Sequence, residues 1–195
     1  MRISDEFEVD QSVDAVWAFF EKIPQVAACL PGTTLTGELG DDRYRGEVAI
    51  RMGPVRLQFD GVAQVVERDD ATKRMVVDAQ GAEQKGRGQA TMSMSVRLVP
   101  QGAQRTTATI DMDLQLSGAA AQYGRGMVSD VTSVLIRQFA GTVQQRLGAI
   151  QRGEDPERAG VASPASGLAI GMQATKMALT RVFRRFFMPY QPGRV

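Results

Sequence analysis

The chain contains no histidine. That absence removes imidazole acid/base catalysis, Ser-His and Cys-His nucleophile activation, haem ligation through histidine and most catalytic zinc sites. A single cysteine, Cys29, excludes an intrachain disulfide. With Lys22 the only cation near it in sequence, Cys29 reads as a small buried apolar residue and not as an activated thiol. No stretch offers about 20 continuous apolar residues; the longest uncharged run, 159–175, is diluted by Ser, Pro, Gly, Gln and Thr, so no segment is expected to span a membrane. The opening MRISDEFEVD lacks the apolar run of a secretory leader, and residence in the cytoplasm is the expectation. A net charge of +1 argues against a dedicated nucleic-acid surface.

What is present is ordinary in bulk: 43% apolar and 23% charged residues in a chain of 195, enough for one well-packed domain and an extension. The charge is unevenly placed. From Ala159 onward the basic residues are Lys176, Arg181, Arg184, Arg185 and Arg194, with no acids; at +1 overall and +5 here, the preceding residues carry −4.

Arg2 to Asp10 alternates Ile3, Phe7 and Val9 with polar residues and predicts a strand. Ser12 is placed to cap a helix over 13–20, in which Val13, Val16, Trp17 and Phe20 share a face, and a second short helix precedes the Pro31-Gly32 turn. From Thr33 the period becomes two. Tyr44, Gly46, Val48, Ile50 and Met52 alternate with polar residues, then Val55, Leu57 and Phe59, then Met75, Val77 and Ala79. The pattern recurs at Met92, Met94, Val96 and Leu98, and at Ala108 to Leu116. One apolar and one polar face per strand predicts an antiparallel meander covered on one side. The cover is a long amphipathic helix from about Ala119 to Ile150, with Val128, Val131, Leu135, Phe139 and Val143 on one face.

Residues 151–163 (QRGEDPERAGVAS) read as a linker, and Pro164 suits the first turn of a further helix over 164–195. That tail sets Leu168, Met172, Leu179, Val182, Phe183, Phe186 and Phe187 against Lys176, Arg181, Arg184 and Arg185. An apolar face, a cationic face and no acids are the features of a helix lying on an anionic membrane surface. Docking on a partner protein is the competing reading.

Strand, two short helices, meander and long helix form an α+β helix-grip (START-like) arrangement: about seven curved antiparallel strands wrapped on a C-terminal helix, residues 1–150, followed by the amphipathic tail. Several local patterns on this order resemble the family of the carbon monoxide dehydrogenase G subunit. They are Cys29-Leu30-Pro31-Gly32, Tyr44-Arg45-Gly46, Met52-Gly53-Pro54-Val55, Phe59-Asp60-Gly61, Gly86-Arg87-Gly88-Gln89-Ala90 and Ala121-Gln122-Tyr123-Gly124-Arg125-Gly126. The resemblance covers residues 1 to about 150. It implies a non-catalytic accessory of the molybdenum enzyme, a partner complex containing that dehydrogenase, and no catalytic residue set.

Met52, Met75, Met92, Met94 and Met112 have inward parity and Met127 comes near the start of the long helix. Methionine suits surfaces that accommodate variable apolar ligands, and equally fills irregular gaps in a core. With Tyr44, Phe59, Tyr123 and Val131 these residues are the candidate lining of a lipophilic pocket. Tyr44, Tyr123 and Gln122 are the candidate polar anchors. Gly86-Arg87-Gly88 reads as a glycine-rich strand start, and Asp41-Asp42, Asp69-Asp70, Asp111 and Asp113 as solvated. A dehydrogenase oxidising a gas must pass electrons to a carrier dissolved in the bilayer. The expected ligand is therefore an isoprenoid quinone of menaquinone or ubiquinone type, with no covalent or metal cofactor, on a protein held peripherally at the inner face of the cell membrane. A START-like cyclase or hydratase, and a ligand-free anchoring scaffold, are the alternatives.

Overall fold

The computed structural model describes residues 1–52 and 55–156, with the side chains of Met52, Val55, Ala119 and Tyr123 left aside. β1 (Arg2–Val9) is followed by α1 (Val13–Phe20) and α2 (Ile23–Ala27), then β2 (Thr33–Gly40), β3 (Arg43–Met52), β4 (Val55–Asp69), β5 (Arg74–Glu83), β6 (Gln89–Pro100) and β7 (Thr106–Leu116). A 3₁₀ turn, Gly118–Tyr123, leads into α3 (Gly124–Gln151). The seven strands form one antiparallel sheet in the order β1-β7-β6-β5-β4-β3-β2. Successive hairpins build β2 to β7, while α1 and α2 carry the chain from one sheet edge at β1 to the other at β2. The expected helix-grip architecture is present.

Local chemistry explains the boundaries. Ser12 caps α1 by accepting from the Ala15 amide at 3.4 Å, which satisfies one of the free donors of the first turn. Asp69 accepts from the Ala71 and Thr72 amides and shapes the β4–β5 turn. At the other end of α3 the Glu154 amide reaches the Ala149 carbonyl at 2.9 Å and the Gly153 amide the Ile150 carbonyl at 3.0 Å, with Gly153 at φ +71°, a Schellman stop.

One expectation needs correction. The long helix begins at Gly124, not near Ala119, because Gly118 and Gly124 have φ of +64° and +71° and bracket a tighter turn. A side chain at Gly118 would also run into the Arg87 carbonyl, so the β5–β6 turn and the start of this connection touch backbone to backbone.

The core occupies one half of the sheet's concave face. Val65, Met75, Val96, Leu98, Ala108 and Ile110 pack there against Val16, Trp17, Phe19 and Phe20 of α1 and Ile136, Phe139, Val143 and Leu147 of α3. Phe139 meets Phe7 and Phe20 edge to face, at ring-centroid distances of 5.8 and 6.2 Å. Cys29 is fully buried in this cluster. Its thiol donates to the Gln25 carbonyl at 3.3 Å, and burial, partly offset by Arg146, pushes it up to about 11, so it is an inert core residue. The expected linker and tail fall on residues that the structure describes only as far as 156; the tail lies outside them.

Candidate functional site: an apolar cavity under the first half of the long helix

The other half of the concave face is not filled. Between it and the first turns of α3 lies a cavity of about 280 Å³, lined on the helix side by Val128, Val131, Thr132 and Leu135 and on the sheet side by all strands from β2 to β7. The reason is visible in the strand register. Gly46 of β3 pairs with Gly61 of β4, Gly61 with Gly81 of β5, and Gly81 with Ala90 of β6. The next row toward the core pairs Tyr44 with Ala63, Ala63 with Ala79, and Ala79 with Met92. On β4 and β5 these two adjacent rows thus carry only Gly and Ala, whereas the rows beyond carry Val65, Met75, Val96 and Ile110. A helix resting on the bulky rows is held off the small ones.

The glycines also permit a close approach of neighbouring strands. A side chain at Gly61 would run into the Gln80 carbonyl oxygen, so the β4–β5 backbones approach more closely there than any other residue permits. Leu57 and Phe59 of β4 and Leu116 of β7 pack with Ala120 of the 3₁₀ turn and close one end of the cavity, while Ile50 packs on Val131, Val134 and Leu135.

The 3₁₀ turn is held in place by the β5–β6 turn. Glu83, 4% exposed, accepts from the Lys85 amide at 2.9 Å, from the Arg87 amide at 3.2 Å, and from the Arg87 guanidinium at 2.7 Å. The Arg87 side-chain bonds, with those two amides, hold the Glu83 carboxyl down to about 2. Gly88 then lies against Ser117 and Gly118. Gly86-Arg87-Gly88, read from sequence as a glycine-rich strand start, is this ion-paired turn, and it supports the cavity's end wall.

Within the described residues the lining contains no Asp, Glu, Lys or Arg. Its polar side chains facing the cavity are Thr33 and Tyr44 on the concave face and Thr132 on α3, and the Thr132 hydroxyl is engaged, donating to the Val128 carbonyl at 2.9 Å. Tyr44 is 7% exposed. Burial, with Glu38 and Asp42 adding to it and Arg68 opposing, raises its phenol above the ordinary value, so it remains protonated.

Of the residues singled out in the sequence, Tyr44, Phe59, Met92 and Val131 line this cavity. Met75 does not: it is 4% exposed in the core under α1 and α3, where it fills space among Phe and Val side chains. Met94 is packed against the same core, and Met112 is half-buried on the concave face without reaching the lining. Met127 is 47% exposed, because it precedes Val128 by one residue and so falls about 100° away from the helix face that meets the sheet. Gln122 is exposed. The side chains of Met52 and Tyr123 lie outside the described ones, as do Leu168, Met172, Lys176, Leu179, Arg181, Val182, Phe183, Arg184, Arg185, Phe186 and Phe187. Sequence reading missed Leu35, Leu114, Leu116, Thr132 and the small residues Gly46, Gly61, Ala63, Ala79, Gly81 and Ala90 as lining. The available signal was glycine and alanine recurring at inward parity on successive strands.

Comparison with solved structures gives the fold a wider setting. A conserved protein from Geobacillus kaustophilus superposes with a TM-score of 0.69 at 20% identity, covering 76% of this chain and 95% of that one. The Zhui aromatase/cyclase from Streptomyces sp. R1128 superposes at 0.58 and 13% identity, over 80% and 99%. A START superfamily protein from Mycobacterium smegmatis does so at 0.54 and 15% identity, over 76% and 98%. At these identities the likeness is one of fold. No curated protein sequence matches the chain. The family model for the carbon monoxide dehydrogenase G subunit (CoxG) matches residues 6–148, a span that takes in β2 to β7, the 3₁₀ turn and nearly all of α3, and with them the whole cavity. The chain belongs to this family, that of the carbon monoxide dehydrogenase G subunit.

Proposed function

We propose that this protein is a non-catalytic accessory of a carbon monoxide dehydrogenase that binds a lipophilic molecule, an isoprenoid quinone of menaquinone or ubiquinone type, in its helix-grip cavity. Its tail, residues 164–195, holds it at the inner face of the membrane. The observation that carries the reading is the cavity itself. Protein interiors leave few voids larger than a water molecule, and about 280 Å³ is close to the lower end of the roughly 300–1,000 Å³ of small-molecule sites. A pure anchoring scaffold has no use for it.

The character of the lining fits a mostly hydrocarbon occupant. Leu, Val, Ile, Phe and Met side chains surround a space with no charged group among the described residues, so an ionised ligand would lose its hydration without return. A cyclase or hydratase needs an acid or base at its substrate. Tyr44 is the only titratable side chain in the described lining, which favours carriage over catalysis. The membrane part of the reading rests on the pattern of the tail sequence, and the partner on family membership.

The experiment is lipid extraction and mass spectrometry of the protein purified from cells that make the dehydrogenase. An isoprenoid quinone at near-stoichiometric amount is expected. Purified protein carrying none, and taking none up from quinone-loaded vesicles, sinks the quinone assignment.

A further inference from the structure

We propose that the Tyr44 hydroxyl is the polar anchor of the cavity, donating a hydrogen bond to a neutral carbonyl oxygen of the bound molecule, and that its surroundings exclude a carboxylate of the same size. This rests on the reading of the cavity as a lipophilic site and specifies what the site selects.

Tyr44 stands on the concave face of β3, where its neighbour on β4 is Ala63 and the next on β5 is Ala79, so the phenol is left uncovered on that side, while its neighbour on the edge strand β2 is the exposed Glu38. It is more than nine-tenths buried and lines the cavity, yet its hydroxyl has no hydrogen-bond partner among the described residues. The ring is buried while the hydroxyl itself stays accessible, so this donor is free to pair with an acceptor on the cavity's occupant. Thr132 cannot take that role as donor, its proton being committed to the Val128 carbonyl. Thr33 is only half-buried, on the edge strand β2.

The surrounding charge decides which acceptor fits. Glu38 stands opposite Tyr44 on β2, Asp42 precedes it by two residues, and the cation Arg68 is already ion-paired with Asp42 at 3.3 Å. A carboxylate entering here would shed its water, meet no lysine or arginine in the described lining, and feel two like charges. A ketone or quinone oxygen carries only partial negative charge and incurs little of that cost. A plain hydrocarbon fits the walls but leaves the hydroxyl unsatisfied. The selected class is a neutral, carbonyl-bearing lipophile and not a fatty acid.

The test uses full-length wild type and Tyr44→Phe, each titrated calorimetrically with three ring-matched probes: 2,3-dimethyl-1,4-naphthoquinone, 2,3-dimethylnaphthalene and 3-methyl-2-naphthoate. Loss of one hydrogen bond lowers the variant's affinity for the naphthoquinone about 3- to 10-fold and leaves its affinity for dimethylnaphthalene unchanged. The naphthoate binds wild type more weakly than the naphthoquinone. Equal naphthoquinone affinity in the two proteins, with dimethylnaphthalene still bound, overturns the anchor and leaves the lipophilic cavity standing. Naphthoate binding as tightly as the naphthoquinone overturns the charge selection. Failure of wild type to bind any of the three overturns both the anchor and the cavity's role. Matching thermal unfolding of the two proteins establishes that the phenylalanine variant is folded.

Discussion

Gly61 and Gly81 stand opposite each other across β4 and β5, so close that a Cβ added to Gly61 would lie 2.9 Å from the Gly81 Cα and would collide with the Gln80 carbonyl. This crossing is the floor of the cavity. It leaves the concave face bare at its centre, so the same two residues bring the strands close and leave space under the helix.

Gly61→Ala is expected to destabilise the domain by about 1–3 kcal/mol, the usual cost of forcing atoms into closely packed surroundings. Gly81→Ala should cost less, since its added Cβ would stand 3.2 Å from the Asp60 carbonyl oxygen and needs only a small adjustment. Urea unfolding of the two variants checks the order; equal stabilities would mean that the close approach at Gly61 is not a constraint.

Ala63→Leu should fill the cavity beside Tyr44 without disturbing the core under α1. Binding of 2,3-dimethyl-1,4-naphthoquinone is expected to fall at least about tenfold while the melting temperature stays level or rises, as for a void that gains packing contacts. A large fall in melting temperature would show that the space collapses in solution.

Phe139→Ala removes a ring packed edge-on against both Phe7 and Phe20 and should cost about 3–5 kcal/mol. Val131→Ala, at the cavity wall, should cost less than Val143→Ala in the filled half, where the side chain is fully buried. Denaturant midpoints of the three variants test this division of α3 into a packed half and a roofing half.

Glu83 makes stability depend on acid. Its carboxyl titrates near 4.5 in the unfolded chain and near 2 in the fold, so the unfolded state takes up the proton first. The contribution is therefore complete above about pH 4.5 and is lost as the pH falls toward 2. Glu83→Gln should lower the melting temperature at pH 7 and flatten its dependence between pH 5 and 2. An unchanged slope would show that other carboxyls dominate acid unfolding.

Removal of residues 164–195 should shift the protein from sedimenting with anionic vesicles to remaining free, with the thermal unfolding of the domain unchanged. Equal sedimentation of full-length and truncated chains would reject the tail as the membrane contact.

Much of the architecture was legible in the residues because it is set by local periods. Alternation of Tyr44, Gly46, Val48 and Ile50 with polar neighbours marks which face of a strand is buried, and Val128, Val131, Leu135 and Phe139 mark one face of a helix, whatever lies opposite. Turn glycines and the Ser12 cap act within a few residues. The family motifs are likewise runs of consecutive residues. The start of α3 was misplaced by five residues because Gly118 and Gly124 interrupt the helix through their backbone angles, which composition does not display.

The position of the cavity belongs to the tertiary structure alone. Met75, Met92 and Met94 are the same residue type at the same parity, yet Met75 and Met94 pack into the core and only Met92 lines the space. Parity states which face a side chain is on. It does not state how far along the groove the side chain lies, or which half of α3 covers it. That is decided by the register that aligns Gly46, Gly61, Gly81 and Ala90 into one row and by α1 filling only the opposite half of the concave face. Those are contacts between residues far apart in the chain. Short-range patterns in the residues set the elements, the buried faces and the family; the pairing of distant strands settled where the apolar face is packed and where it is left open around Tyr44.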